Sequence, residues 1–240
     1  MYAIHDAMAD LFQSSWNDKT TQYLAERGVS PEMRKAFGIG VCPSQQTCVA
    51  ALDRWQFLRS LAETVGFLSF KGPTPYCGFA DRLMFPISSA RGQIVAFGGR
   101  TLNGGPKYIN SPETPIYRKR EHLFGFHQAL NAIRHKRRVI VVEGYLDCIA
   151  LHQAGLTETV AVCGTAFSEY QSHLFEQLGV TVHLLFDADS AGVEAAKRFE
   201  ATAKSRNLKH NIVTLPSGDP DTFVKEYGPQ GIEDLLVSKK

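Results

Sequence analysis

From residue 138 onward the chain alternates between short, almost wholly apolar runs and longer runs with helical spacing. Residues 139–143 read Val-Ile-Val-Val-Glu, 159–163 Thr-Val-Ala-Val-Cys, 182–186 Val-His-Leu-Leu-Phe and 211–215 Asn-Ile-Val-Thr-Leu. Between them, 145–154, 168–178 and 191–207 carry helical patterns. A strand that is apolar on both faces must be covered on both faces. The alternation therefore predicts an α/β unit with a parallel sheet flanked by helices.

The earlier half reads differently. Residues 21–28 are helical and stop at Gly28. Ser30, Pro31 and Glu32 then announce a helix over 31–37, with Ser as the cap and Pro at the first helical position. Residues 47–66 have helical spacing, which places Leu52, Trp55, Leu58 and Leu61 on a buried face. Trp16 and Trp55 are expected to anchor this part of the core. Short apolar runs at 67–70, 83–87 and 94–100, with Gly or Pro beside them, predict strands, and Arg91-Gly92 predicts a hairpin turn. Residues 102–116 look like a loop and 121–133 like a helix that Arg118-Lys119-Arg120 opens. The expectation is a mixed α+β basic lobe over 1–137 and a second lobe over 138–240, with the active site in a cleft between them.

Hydrophobic residues make up 44% and charged residues 21%, values of an ordinary globular protein. No apolar run approaches the roughly 18 residues of a membrane span, so no membrane partner and a cytoplasmic location are expected. The five cysteines form no C-x-x-C pair, which argues against a zinc ribbon or a redox pair and for reduced, structural thiols. The net charge of +2 hides an asymmetry: residues 1–138 hold 18 Lys and Arg against 10 Asp and Glu, and residues 139–240 hold 8 against 14. A basic half beside an acidic half suits a nucleic-acid surface next to a metal site, although uneven surface charge alone would look the same.

The acids fall where a parallel sheet binds ligands, beyond the C-terminal ends of strands. Glu143 and Asp187 each stand where an apolar run stops, and burying an unpaired carboxylate as packing would be costly. Asp189, two residues after Asp187, points the same way in extended chain. Gly192 allows a tight turn into the next helix, and Asp147 lies one helical turn beyond Glu143. Asp219 and Asp221 are expected in another loop that follows a strand. Hard cations such as Mg²⁺ take oxygen ligands, and this many acids is enough for two ions of the kind that promote phosphoryl transfer. Asp147 and Asp189 taken singly suit helix capping or a turn equally well.

Three segments resemble the Toprim domain: Val141-Val142-Glu143-Gly144-Tyr145-Leu146-Asp147, Cys163-Gly164-Thr165, and Phe186-Asp187-Ala188-Asp189-Ser190-Ala191-Gly192. The upstream half selects among Toprim families. Arg82-Leu83-Met84-Phe85-Pro86-Ile87, Phe97-Gly98-Gly99-Arg100, Pro106-Lys107-Tyr108-Ile109-Asn110-Ser111-Pro112-Glu113-Thr114 and Leu123-Phe124-Gly125 are similar to the catalytic core of bacterial DnaG-type DNA primases. The resemblance implies a Toprim-type fold and template-directed, metal-dependent synthesis of short RNA primers. It implies Glu143, Asp187 and Asp189 as catalytic metal ligands, with Asp147, Asp219 and Asp221 at further acidic positions and Mg²⁺ or Mn²⁺, two ions, as cofactor. It places Arg82, Arg100, Lys107 and Lys119 on template, primer or nucleotide phosphates, with Asn110 and Ser111 as polar groups beside Lys107. Tyr108 suits stacking on a base or a place in a hairpin.

The partners implied are single-stranded DNA and ribonucleoside triphosphates. Members of the family usually carry a zinc-binding module before this core and a helicase-binding region after it, so a replicative helicase is expected to bind through regions outside this sequence. Ala188, Ser190 and Glu121 depart from the common Gly, Arg and basic residue, which bears on template or nucleotide binding rather than on the metal. Two rival readings remain open here: another Toprim enzyme of nuclease or topoisomerase type, and a non-catalytic module that binds single-stranded DNA, nucleotides or a replication partner.

Overall fold

Val139, Ile140, Val141 and Val142 are all wholly buried, as a central parallel strand requires. The computed structural model describes every residue except 71, 73, 165, 166 and 238–240. Thr165, part of one Toprim-like segment, lies outside the described residues. The chain divides into two compact units, Met1–Arg118 and Lys119–Lys240.

The first unit runs α1 (Tyr2–Ser14), α2 (Asp18–Glu26), α3 (Pro31–Ala36), β1 (Gly40–Val41), α4 (Gln45–Trp55), α5 (Arg59–Thr64), β2 (Arg82–Ser88), β3 (Ile94–Thr101) and β4 (Tyr108–Asn110). Its four strands form an antiparallel sheet in the order β1-β2-β3-β4. The Ser30 side chain accepts the Met33 N–H and caps α3 as its sequence announces. The β2–β3 hairpin turns at Gly92, whose φ of 83° suits glycine. Phe12, Phe67 and Phe97 are buried at the centre of this unit's core.

Several expectations are corrected here. Residues 47–66 form two helices, because Gln56 takes a left-handed conformation (φ 58°, ψ 23°) after α4. The break turns Trp55 and Phe57 onto one cluster, with ring centroids 6.2 Å apart, and leaves Leu58 73% exposed at the start of α5. The apolar run 67–70 makes only an isolated bridge, Ser69 to Tyr76; Pro75 beside it has no N–H with which to extend a ladder. The presumed loop 102–116 contains β4, which pairs with β3. Trp16 lies under the Arg34 guanidinium, 5.2 Å from its ring centroid, rather than in the core cluster.

The second unit runs β5 (Leu123–Phe124), α6 (Phe126–Lys136), β6 (Arg138–Val142), α7 (Tyr145–Gln153), β7 (Thr159–Val162), α8 (Glu169–Leu178), β8 (Thr181–Phe186), α9 (Ser190–Ser205), β9 (His210–Thr214) and α10 (Pro220–Val237). The sheet order is β5-β7-β6-β8-β9, with only β5 antiparallel. The helix expected over 121–133 begins instead at Phe126. Gly125 (φ 77°) turns the chain out of β5, so Arg118-Lys119-Arg120 opens no helix. Residues 119–137, expected in the first lobe, pack in the second unit, because β5 pairs with β7 and Ala129 and Ile133 of α6 join the core of this sheet. α10 changes direction at Gly228, before Pro229. Its second half is held to β6 by Arg138, which pairs with both Glu233 and the fully buried Glu158. No helix among the described residues is long and apolar enough to cross a membrane.

Candidate functional site

The chain runs from β6 to β7 on one side and then crosses to β8 on the other, so the direction of winding reverses between β6 and β8. An open parallel sheet binds ligands at such a switch point, outside the carboxyl ends of the strands. Glu143 follows β6 and Asp187 follows β8, and the register partners Val141 and Leu184 bring these two ends side by side.

Glu143 Oε1 is buried and makes no hydrogen bond. Burial and then the Asp187 charge push the Glu143 carboxyl above its ordinary range, with a smaller push from Asp189. A hydrogen bond from the Asp187 main chain opposes the shift, and Arg198, on α9, does so more weakly. Asp189 is exposed and caps α9, accepting the Gly192 N–H at 2.8 Å, so the capping role its sequence position allows is realised. Gly192 is required by close approach: a Cβ there would stand 2.2 Å from the Asp187 carbonyl oxygen and 3.1 Å from Glu143 Oε1. The helix can therefore start directly against the acids only with glycine at this position.

Asp147 is 8% exposed in the first turn of α7. Burial first, and then the charges of Asp187, Asp219 and Asp221, push its carboxyl up to about 7. One group opposes this, the Asp221 N–H, which donates to Asp147 Oδ1 at 3.3 Å. Asp221 lies in the first turn of α10 and not in a loop as expected, while Asp219 caps that helix by accepting the Thr222 N–H at 2.7 Å. The loops after β8 and β9 are tied together by the Ala188 N–H to the Gly218 carbonyl oxygen at 3.0 Å. Six acids separated in sequence are thus electrostatically coupled, and Asp187 acts on both Glu143 and Asp147.

An orphaned carboxylate oxygen, a carboxyl raised by burial and by its acidic neighbours, and a glycine cradle all fit a divalent cation with oxygen ligands. Lys225 was not anticipated; its Nζ lies 2.6 Å from Asp221 Oδ1. The Asp221-x-x-x-Lys225 spacing on one helix could have revealed it.

The basic residues are placed in two ways. Arg82 is held by backbone carbonyls, donating to Gly78 at 3.3 Å, Gly99 at 3.4 Å and Pro106 at 2.9 Å. It braces the hairpin that carries Lys107, which is exposed. Arg100 lies against Tyr23 and Tyr108, 4.9 and 5.2 Å from their ring centroids, and donates to the Tyr108 hydroxyl at 2.8 Å. Asn110 is half-buried in β4. Ser111 is placed otherwise than expected: it is wholly buried, and its Oγ accepts the Phe97 N–H at 3.0 Å, so it fastens β4 to β3 instead of offering a polar group beside Lys107. Lys119 is half-buried at the start of the second unit. Among the described residues, the potential ligand group with all its atoms within 4.8 Å of one another is a different one, Cys42, Cys48 and Cys77.

Residues 8–130 match the family described as DNA primase catalytic core, N-terminal domain, and residues 140–224 match a Toprim-like family. The chain is similar to the DNA primase of Aquifex aeolicus, with 33% identity over 99% of this chain and 49% of that protein. It therefore spans about half the length of this relative. Among solved structures it is similar to the Aquifex aeolicus primase zinc-binding and RNA polymerase domains, with a TM-score of 0.91, 33% identity, and coverage of 99% of this chain and 60% of that one. It is also similar to a DnaG primase catalytic domain bound to single-stranded DNA, with a TM-score of 0.89, 32% identity, and coverage of 99% and 78%. By these matches, and by the mostly parallel five-stranded sheet with acids at its switch point, the chain belongs to the family of DnaG-type primase catalytic cores.

Proposed function

We propose that this chain is a nucleotidyltransferase that joins ribonucleoside triphosphates into short RNA primers on a single-stranded DNA template. The observation that carries this reading is the position of Asp187. It follows β8 at the switch point and acts electrostatically on Glu143 on one side and on Asp147 on the other. That arrangement supports two neighbouring cation positions, with Mg²⁺ or Mn²⁺ as the ions. Glu143, Asp187 and Asp189 would hold the first, and Asp147, Asp219 and Asp221 would hold or orient the second. Bound cations supply Lewis-acid stabilisation of the entering and leaving oxygens in phosphoryl transfer.

The protein's own groups do the positioning. Lys107 is exposed and offers an ammonium to template or nucleotide phosphate. Arg82 fixes the loop from which Lys107 projects. Arg100, Asn110 and Lys119 are the further groups assigned to nucleic acid or nucleotide, and the single-stranded DNA in a similar catalytic domain supports a DNA template here.

The test is to incubate the chain with single-stranded templates, labelled ribonucleotides and Mg²⁺ or Mn²⁺, and to resolve the products by size. Short RNA that requires template and disappears with chelator is the expected result. DNA binding without product would indicate a binding module, and shortened template would indicate a nuclease.

A further inference from the structure

Cys42 and Cys48, six residues apart, and Cys77, 35 residues from Cys42, meet in the core of the first unit. Cys42 follows β1, Cys48 lies in α4, and Cys77 follows the Ser69–Tyr76 bridge. The Sγ atoms of Cys42 and Cys48 are 3.5 Å apart, those of Cys42 and Cys77 are 3.8 Å apart, and all three lie within 4.8 Å of one another. A disulfide would need about 2.05 Å, so these are three thiols.

Burial alone does not account for the arrangement. A buried free cysteine behaves as a small apolar side chain and gains by packing its sulfur against carbon. Here three sulfurs from three segments converge on one another instead. Three corners of a tetrahedral thiolate site with a metal–sulfur distance near 2.3 Å stand about 3.8 Å apart, close to the separations found.

We propose that Cys42, Cys48 and Cys77 bind one thiophilic d¹⁰ cation, Zn²⁺ or Cu⁺. The ligands would be the three sulfurs, and the thiol protons still present would leave to solvent on binding. This site is separate in chemistry from the acidic group, because soft thiolates select Zn²⁺ or Cu⁺ while carboxylates select Mg²⁺ or Mn²⁺. Its role is to staple the segment 74–82 to β1 and α4. That segment ends in Arg82, whose carbonyl oxygen accepts the Cys42 N–H at 2.9 Å, while the Asp81 N–H reaches the Cys42 carbonyl at 3.0 Å. The cation would thus steady the strand end from which Arg82 braces the Lys107 hairpin.

The test uses the full chain, stripped with chelator under reductant and then kept in excess Mg²⁺ so that the acidic group cannot report. Co²⁺ as a zinc probe, and Cu⁺ against a chromophoric chelator, are titrated in separate arms, and the zinc and copper forms are examined by X-ray absorption. Expected are one equivalent of Zn²⁺ or of Cu⁺, a sulfur shell at about 2.3 Å for zinc and a raised melting temperature. Cys42→Ser and Cys77→Ser should each weaken binding roughly a hundredfold or more, beyond what losing an outer-shell partner costs. Glu143→Gln should leave this binding unchanged. Because a serine variant can fail to fold, the wild-type X-ray absorption decides by itself. A shell of oxygen and nitrogen only, uptake of neither metal, or loss of two thiols to a disulfide without metal would overturn the proposal.

Discussion

Asp147 Oδ1 accepts the Asp221 N–H at 3.3 Å, so an acid at the start of α7 is fixed by the main chain at the start of α10. The contact brings a third carboxyl-bearing segment, from beyond β9, to the acids that follow β6 and β8. It also leaves Asp147 buried among like charges with a single stabilising donor.

A stability effect follows directly from that burial. The Asp147 pKa rises from 3.8 to about 7 on folding, so the folded state holds this proton more tightly than the unfolded chain. The contribution of this one group to stability is complete below about pH 4 and is lost as pH rises through 7, by up to roughly 4 kcal/mol from a shift of about three units. Asp147→Asn should flatten this dependence and raise the melting temperature of chelator-treated protein at pH 8 but not at pH 4. Thermal melts at the two pH values check it; equal slopes in variant and wild type would exclude the assignment.

Glu143→Gln should abolish primer synthesis, by at least roughly a hundredfold, with the fold retained. Glutamine keeps the shape and removes the charge at the buried, orphaned Oε1. Product assays beside far-ultraviolet circular dichroism separate loss of chemistry from loss of structure. An active variant would remove Glu143 from the site.

Asp187→Asn with Asp189→Asn should leave the metal-free protein at least as stable as wild type, because asparagine still caps α9 and the repulsion with Glu143 is relieved. The same double variant should lose the rise in melting temperature that Mg²⁺ or Mn²⁺ gives the wild type, and all nucleotide joining. Paired melts with chelator and with millimolar cation measure both parts. A less stable double variant in chelator, together with a wild type indifferent to cation, would mean that the pair is structural.

Lys107→Ala should weaken template or nucleotide binding without altering the melting temperature, and the wild-type advantage should shrink as salt rises. Arg82→Ala should weaken binding and also lower stability, by about 1–3 kcal/mol, since it abandons the Gly99 and Pro106 carbonyls. Binding isotherms over a salt series, with melts of each variant, distinguish the two residues. Equal binding by Lys107→Ala and wild type at low salt would take Lys107 out of the interface.

Gly192→Ala should disturb the acidic group without removing any of its carboxylates. Its methyl would meet the Asp187 carbonyl oxygen at 2.2 Å, so α9 must shift and the Asp189 cap with it. A stability loss of about 1–3 kcal/mol and loss of cation-dependent stabilisation are expected from melts with and without Mg²⁺. Wild-type behaviour in both would show that the helix start has room to move.

The strands β6 to β9 and the acids that follow them were legible in the sequence because their signals are local. Continuous apolar runs define a covered strand, and Glu143 and Asp187 stand at the ends of two such runs wherever the strands go. The Ser30 cap and the Gly92 turn were legible for the same reason. Only the tertiary structure decided which strand ends lie side by side, since the placement of β6 next to β8 depends on a crossover and not on either run. It also decided that Gln56 breaks a helical pattern, that Leu123 and Phe124 pair with β7, and that Ser111 turns inward to Phe97. The cysteine trio belongs to the same class. Cys42, Cys48 and Cys77 show no motif spacing, and they become a group only when the hydrophobic core draws the distant Cys77 onto the segment that carries Cys42 and Cys48.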